Sequence, residues 1–166
     1  MRDLVLLPGL NNTELVFADV AQLLAADARV HTPTLPALDT LDAIADRVLD
    51  AAPPRFHLCG FSFGGYVALA TAARAPDRVT GLALLCTGTT ADTPEQVAFR
   101  KRAIETARTG DYEGMVAKQA PIAFHPASLQ DAPMMARRAK MVTDYGIELF
   151  VAHVTAAMHR PDQSAV

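Results

Sequence analysis

Residues 56–74 read FHLCGFSFGGYVALATAAR, and this stretch decides the fold. Its first part, Phe56 to Cys59, is a short apolar run typical of a strand buried on both faces of a parallel sheet. From Gly64 to Ala75 the chain is rich in small residues and is predicted to be a helix. Between them lies Gly60-Phe61-Ser62-Phe63-Gly64, which fits the pattern G-x-S-x-G. We therefore predict a strand, a tight turn at Ser62 and a helix.

The turn makes Ser62 the candidate nucleophile. At average glycine and serine frequencies the pattern arises by chance in about 5% of chains of this length, so its position matters more than its presence. A sharp turn from strand to helix strains the serine backbone and crowds helix against strand, so small neighbours are needed. Gly60, Gly64 and Gly65 supply them. The turn also places Ser62 at the carboxyl end of the sheet and near the positive end of a helix dipole, where developing negative charge is favoured.

Two backbone N–H groups are candidates for an oxyanion hole beside this serine. One belongs to Phe63, the residue after the nucleophile. The other belongs to Leu10, in the loop Pro8-Gly9-Leu10 after the first apolar run. If the serine motif is left aside, Pro8-Gly9 also fits an ordinary turn with no role in catalysis. Loss of one such donor costs about 3 kcal/mol of transition-state stabilisation in acyl-transfer enzymes.

The first half of the chain alternates between strand and helix patterns. Further strands are predicted at Leu4–Leu7, Arg29–Thr32 and Val79–Cys86. One helix is predicted from the stripe Leu15, Val20, Leu23 and Leu24, and another, capped by Thr40, from Leu41, Ile44, Ala45, Val48 and Leu49. This rhythm predicts an α/β fold with a doubly wound, mostly parallel sheet.

From Thr93 the pattern becomes helical. Thr93-Pro94-Glu95-Gln96 is a capping box with proline at the first helical position. Helix is then predicted to Arg160, with breaks at Gly110, between Pro121 and Pro126, and near Gly146. We expect residues 93–160 to form a helical excursion over the sheet.

Composition excludes several classes of protein. The chain has 166 residues, 51% of them hydrophobic, which is enough for one domain with a buried core. A net charge of −3 offers no basic surface for nucleic acid. Cys59 and Cys86 lie in apolar runs, where we expect buried free thiols rather than a disulfide or a metal site. The first apolar run is too short for a signal peptide or membrane span, which favours a cytoplasmic protein without a membrane partner.

Three segments together resemble the α/β-hydrolase superfamily: LVLLPGL, CGFSFGGYVAL and RVTGLALLCTGTTADTPEQ. They are most similar to its small esterase-like members with a helical cap. The resemblance implies a hydrolase core at residues 1–92, a helical cap at 93–160 and the start of a return to the core at 161–166. It also implies a sheet of about eight strands, no cofactor, and a triad of serine, acid and histidine in that chain order. Pro8-Gly9 stands where many members carry His-Gly, a change that keeps the glycine and the backbone donor.

The resemblance is incomplete after the cap. The strands that carry the acid and the histidine in the family are missing, so we expect truncation after the fourth strand and near-inactivity without a base. None of the five histidines is expected to act as that base: His31, His57, His125, His153 and His159. His125 lies in a break of the cap and is the candidate for substrate contact. Asp92 is expected to cap a helix or to be solvated.

Three functions remain open. The first is a serine hydrolase for a small, mostly apolar ester or a related acyl or C–C substrate. The second is a non-catalytic small-molecule binding module that keeps the scaffold. A flavodoxin-like nucleotide binder is the third, although no glycine-rich phosphate loop follows the first strand. Because no strand would cover LALLC at positions 82–86, we also expect an exposed apolar sheet edge and possible self-association.

Overall fold

A computed structural model describes all residues 1–166 and has a four-stranded parallel sheet at its centre. The strands lie in the order β2-β1-β3-β4. Their bounds are Arg2–Leu7 (β1), Ala28–His31 (β2), Phe56–Phe61 (β3) and Val79–Leu85 (β4). Every neighbouring pair is parallel. The predicted α/β fold with a parallel sheet is confirmed.

Two helices cover one face of the sheet and form the main core with it. These are α2 (Leu41–Ala51), capped by the Thr40 side chain, and α3 (Phe63–Arg74). Alternate residues of β1 and β3 point toward this face, since strand side chains alternate. The core includes Val5, Leu7, Phe56, Leu58, Ile44, Val48, Phe63 and Val67. Burial of this surface supplies the largest favourable contribution to folding.

On the opposite face, the first helix differs from its prediction. A 3-10 turn at Glu14–Phe17 precedes the short α1 (Ala18–Leu24). Val20 and Leu23 are exposed, so the predicted apolar stripe does not reach the core. Phe17 packs on Leu6 and Cys59 instead. The predicted stripe was wrong because α1 begins only at Ala18 and lies on the surface, with none of its residues buried.

The helical segment after β4 contains four α-helices. They are α4 (Pro94–Thr106), α5 (Tyr112–Ala117), α6 (Ala120–Ala123) and α7 (Ala132–Met158). The capping box at Thr93 and Gln96 forms as predicted. Gly110 (φ 121°) and Gly146 (φ 71°) interrupt helical geometry at the predicted positions. Pro121 lies inside α6, so the break predicted between Pro121 and Pro126 begins only at Phe124.

Helix α7 joins the two hydrophobic cores of the protein. Ala156 and Ala157 belong to the core on the sheet. Val142 and Phe150 belong to a second core, with Tyr112 and Val116 of α5. The kink at Gly146 lies between Val142 and Phe150.

Strand β4 is one of the two edges of the sheet. Leu82, Leu84 and Leu85 of this strand are exposed, as the sequence predicts for an uncovered strand. Cys59 and Cys86 are both free thiols; Cys59 is buried, but Cys86 is exposed. Burial of Cys86 was therefore predicted wrongly, because it follows the edge strand.

A buried ionic cluster ties the end of α7 to the segment after β4. The Asp92 carboxylate has no exposed surface and pairs with Arg100 Nε and Arg160 Nη1, each at 2.5 Å. Arg160 also donates to Thr90 O (2.9 Å) and lies over the Tyr66 ring of α3. Thr93, not Asp92, caps α4. The expected capping or solvated role of Asp92 is thus wrong, because two arginines enclose its side chain.

Candidate active site

Ser62 lies between the last residue of β3 and the first of α3, at φ 52° and ψ −115°. For a non-glycine residue this is a strained backbone conformation, which persists only when surrounding contacts hold it. Its N–H donates to Leu85 O of β4 (2.8 Å). Its carbonyl accepts from the Gly65 N–H (2.9 Å) and from the Thr87 hydroxyl (2.8 Å). These hydrogen bonds fix the serine backbone at the carboxyl edge of the sheet.

Glycines around the turn permit close packing that a Cβ would prevent. A Cβ on Gly64 would overlap the carbonyl oxygen of Leu7 at the end of β1. A Cβ on Gly60 would overlap the Gly64 carbonyl, and a Cβ on Gly65 would overlap the Thr87 side chain. Helix α3 therefore packs directly on the ends of β1 and β3. Because β1 and β3 are neighbours whose connections run in opposite directions, their carboxyl ends border a crevice where ligands bind in open α/β sheets.

The loop after β1 lies against Ser62. A Cβ built on Gly9 would be 3.1 Å from the Ser62 Cβ. In the next residue, the Leu10 N–H donates to no other atom of the protein. The Phe63 N–H is at the first position of α3, where helical N–H groups have no intrahelical partner. Of the two residues that the sequence singled out, Phe63 thus follows Ser62 directly and Leu10 follows the glycine that packs against it. Neither N–H group has a helical or loop acceptor.

A tyrosine from the helical segment holds this loop. The Tyr112 hydroxyl of α5 donates to Asn11 Oδ1 at 2.9 Å. Asn11 has φ 61°, a left-handed conformation that asparagine tolerates better than most residues. The Asn12 side chain donates to Leu10 O at 2.7 Å. Sequence reasoning missed Tyr112 because 101 residues separate it from Asn11 and no motif links them.

His153 of α7 is fully buried behind the turn. Its ring stacks on Phe63, with centroids 4.7 Å apart. The Nε2–H donates to Pro36 O (2.7 Å), since a carbonyl can only accept, and Nδ1 accepts from the Tyr145 hydroxyl (2.6 Å). Burial lowers the pKa of His153, and the Pro36 carbonyl opposes this only in part. Burial likewise raises the pKa of Tyr145. Both rings are therefore neutral, and His153 has no nitrogen free for proton transfer.

None of the other histidines contacts Ser62, whose Oγ has no hydrogen-bond partner within the protein. His31 pairs with Asp3 (2.8 Å) on β1, and His57 of β3 lies 3.5 Å from the Thr80 hydroxyl. His125 is exposed, and its Nδ1 accepts from the Ala127 N–H (3.2 Å). His159 is exposed at the end of α7. The structure thus brings the loop that holds Leu10 against Ser62 through Gly9, places Phe63 directly after Ser62, and leaves His125 exposed.

A cavity of about 280 Å³ adjoins the turn between the sheet and the helical segment. Leu10 and Phe61 line it on the sheet side. The helical segment contributes Val116, Gln119, Ala123, Phe124, Arg138 and Val142. A small, mostly apolar molecule could therefore lie against Leu10 and against Phe61, the residue before Ser62. No group of three or more His, Cys, Asp or Glu side chains is arranged to hold a metal ion.

The parallel sheet, the strained serine at the end of β3 and the helical segment define a class of protein. The profile of the Alpha/beta hydrolase family matches residues 4–164, and the chain belongs to that family. This confirms the resemblance identified from the sequence.

Among curated proteins, the chain is similar to pimeloyl-[acyl-carrier protein] methyl ester esterases. It is 37% identical over 91 residues to that of Nitrosomonas europaea, covering 50% of this chain and 36% of the relative. With that of Aromatoleum aromaticum the identity is 39% over 92 residues, covering 51% of this chain and 37% of the relative. The match thus spans little more than a third of the relatives' own length.

Solved structures share the fold. An esterase of Thermogutta terrifontis, determined with malate bound, superposes with a TM-score of 0.84 at 24% identity, covering 99% of this chain and 66% of the esterase. The enol-lactonase of Burkholderia xenovorans superposes with a TM-score of 0.81 at 20% identity, covering 97% of this chain and 66% of the lactonase. None of the helices described here is both long enough and apolar enough to cross a membrane.

Proposed function

We propose that this chain carries the nucleophile of a serine hydrolase that acts on carboxylic esters or related acyl or C–C substrates. Ser62 is the nucleophile, and the N–H groups of Leu10 and Phe63 form the oxyanion hole. One observation carries the proposal: a serine at φ 52° between β3 and α3, with the Leu10 loop packed against it. The ester-hydrolase names of the curated relatives support the same reaction class.

The geometry accounts for the first chemical step. Ser62 Oγ attacks the substrate carbonyl carbon, and the carbonyl electrons move onto oxygen. Donors fixed before the reaction stabilise that oxyanion without reorganising, which makes them effective in a site with little water. Collapse then breaks the ester bond: the leaving oxygen takes up the proton that Ser62 lost and departs as the alcohol, and the acyl group stays on Ser62. Water then hydrolyses the acyl-serine to the free acid and restores the Ser62 hydroxyl.

Proton transfer needs a base that residues 1–166 do not bring to Ser62. His153 uses both nitrogens elsewhere. Loss of the base in a serine triad removes several orders of magnitude of rate. We therefore expect residues 1–166 alone to turn over esters very slowly.

Residues 93–160 act as the cap in this proposal, over a hydrolase core at 1–92, with 161–166 returning to the core. The Tyr112–Asn11 hydrogen bond and the cavity between the two parts support this division. The mostly apolar cavity favours a small hydrophobic acyl group. His125 has no role in the proposal, because it is exposed and does not line this cavity.

Phosphonylation tests the nucleophile directly. Excess fluorophosphonate, followed by intact mass and peptide mapping, is expected to label Ser62 slowly and to label Ser62→Ala not at all. The chain has two other serines, Ser128 and Ser164, and Ser128→Ala is the matched control that should label like wild type. Equal labelling of wild type and Ser62→Ala would contradict the proposal.

A binding module is the second candidate function, and the cavity of about 280 Å³ lined by Leu10 and Phe61 favours it. In that case ligands would occupy the cavity beside Leu10 without turnover. Unchanged ligand affinity in Ser62→Ala, together with no fluorophosphonate adduct on wild type, would favour this reading over catalysis.

Self-association through β4 is part of the proposal for partners. Unpaired N–H and C=O groups and exposed leucines make this edge a template for another strand. Sedimentation velocity should detect oligomers that Leu84→Lys reduces. A monomeric wild type with a high melting temperature would refute the idea.

A further inference from the structure

The cavity lined by Leu10 and Phe61 contains one cationic side chain. Arg138 of α7 lines it together with Leu10 and Phe61. Its side chain is half-buried, and burial lowers the pKa of its guanidinium. Arginine nevertheless stays protonated at neutral pH. A positive charge is therefore held in a mostly apolar cavity that is also lined by Leu10, one of the two proposed oxyanion donors.

This charge has no acidic partner. Arg138 donates one hydrogen bond, from Nη2 to Val116 O (2.6 Å), and its guanidinium lies over the Phe124 ring at 5.4 Å. It forms no ion pair, although the chain has ten within 4.0 Å. Of the five N–H donors of a guanidinium, Arg138 thus uses one within the protein.

Acidic groups nearby are already engaged with other partners. Asp19 pairs with Arg137 (2.9 Å), and Asp131 accepts from the Met134 N–H (2.9 Å). Glu113 accepts from the Thr143 hydroxyl (2.8 Å). A partly buried charge without a counter-charge is costly, and a ligand anion would relieve that cost.

We propose that Arg138 determines specificity by binding a carboxylate on the acyl portion of the substrate. The proposal rests on the proposed function, since it makes the substrate of Ser62 a half-ester of a dicarboxylic acid. The guanidinium fork matches a carboxylate with two parallel hydrogen bonds. The apolar walls fit the methylenes between the two groups, and a volume of about 280 Å³ limits the chain to a short one. A carboxylate, with one negative charge, is easier to desolvate there than a phosphate dianion.

Calorimetric titration of the full chain tests this without requiring turnover. The probes are the monomethyl esters of succinate, glutarate and adipate, each against the neutral methyl ester of equal length. The best half-ester is expected to bind at least about tenfold more tightly than its neutral match, since hydrogen bonds to charged groups contribute about 1.5–3 kcal/mol. Shifts of the Leu10 and Phe61 amide resonances should locate the binding.

Variants separate this interaction from general charge effects. Arg138→Met should remove the preference, whereas Arg137→Met, which loses the same charge from a side chain paired with Asp19, should keep it. If Arg138→Met does not fold, the wild-type preference must fall with added salt and survive in part in Arg138→Lys.

Three results would overturn the proposal. They are equal affinity of wild type for the half-ester and its neutral match, equal loss of affinity in Arg138→Met and Arg137→Met, and tighter binding of a probe in which a phosphonate replaces the carboxylate. A carboxylate preference in a protein whose Ser62 never reacts with fluorophosphonate would leave the Arg138 site standing and refute the hydrolase.

Discussion

The buried ionic cluster gives a prediction that can be worked from its geometry. Asp92→Asn keeps the shape of the side chain but removes the charge between Arg100 and Arg160. Arg160 has only 5% of its side chain exposed and cannot easily reach water, whereas Arg100 is 19% exposed and can relax partly. Breaking a buried pair costs about 3–5 kcal/mol, and the remaining bonds of Arg160 to Thr90 and Ala157 place the estimate near the lower figure.

The assay is urea unfolding at pH 7, with Asp46→Asn as the matched control. Asp46 pairs with Arg74 through two hydrogen bonds, at 2.7 and 2.9 Å, but lies on the surface. Its loss should cost at most about 1 kcal/mol. The Asp92 variant should lose about 3 kcal/mol, or about 6–12 °C in Tm for a chain of this size. Equal losses in the two variants would refute the reasoning.

The pH dependence gives a second check on Asp92. Burial alone would raise its pKa, but the hydrogen bonds and charges of Arg100 and Arg160 outweigh this and hold the pKa below the ordinary value of 3.8. A lowered carboxyl pKa adds stability above the unfolded-state pKa, and that stability is lost as pH falls through the folded-state pKa. The difference in free energy of unfolding between wild type and Asp92→Asn should therefore persist down to about pH 4 and shrink below that pH. A gap that does not change at lower pH would contradict this.

Three further predictions concern the turn and its supports. Gly64→Ala should lower the free energy of unfolding in urea by about 2 kcal/mol or more, because the new Cβ overlaps the Leu7 carbonyl at the end of β1. Gly88→Ala is the control and should change it little, because no atom lies within 4 Å of a Cβ there. Equal effects would count against close packing at the turn. Tyr112→Phe leaves Asn11 Oδ1 without its donor and should lower the free energy of unfolding by about 1–2 kcal/mol. It should also slow the reaction of Ser62 with fluorophosphonate. An unchanged rate would show that Tyr112 does not position the Leu10 loop. A lowered histidine pKa stabilises the protein above the unfolded-state pKa of 6.5, so the free energy of unfolding of wild type should fall between pH 7 and pH 5, by up to about 1.4 kcal/mol per pH unit. His153→Gln should make the free energy of unfolding depend less steeply on pH. Equal pH dependence in the two proteins would refute a neutral buried His153.

Local patterns predicted the sheet and the turn because their signals are short-range. The apolar run before Ser62, the glycines around it and the capping box at Thr93 each act within a few residues. Residues brought together over long distances gave no such signal. Tyr112 meets Asn11 across 101 residues, and Arg160 meets Asp92 across 68. Arg138 belongs to no motif, and only the folded chain shows that it lines the cavity beside Leu10.

The first helix illustrates a different limit. Its apolar spacing fits a helical stripe, but a 3-10 turn occupies Glu14–Phe17 and α1 begins only at Ala18. No residue of α1 is buried, and Val20 and Leu23 are exposed. Spacing predicts which side chains share a helix face, but not whether another element covers that face.

The kink at Gly146 has a consequence for the path of α7. Val142 before the kink and Phe150 after it pack in the same helical core, the last turn of the helix lies on the sheet, and the ionic cluster at Arg160 secures the residue beyond its end. The bend at this one glycine therefore sets the direction in which the rest of α7 runs from the helical core to the sheet. Gly146→Ala would strain the backbone at φ 71° and ψ 167°, a conformation that glycine alone adopts readily, and would loosen both ends of that connection.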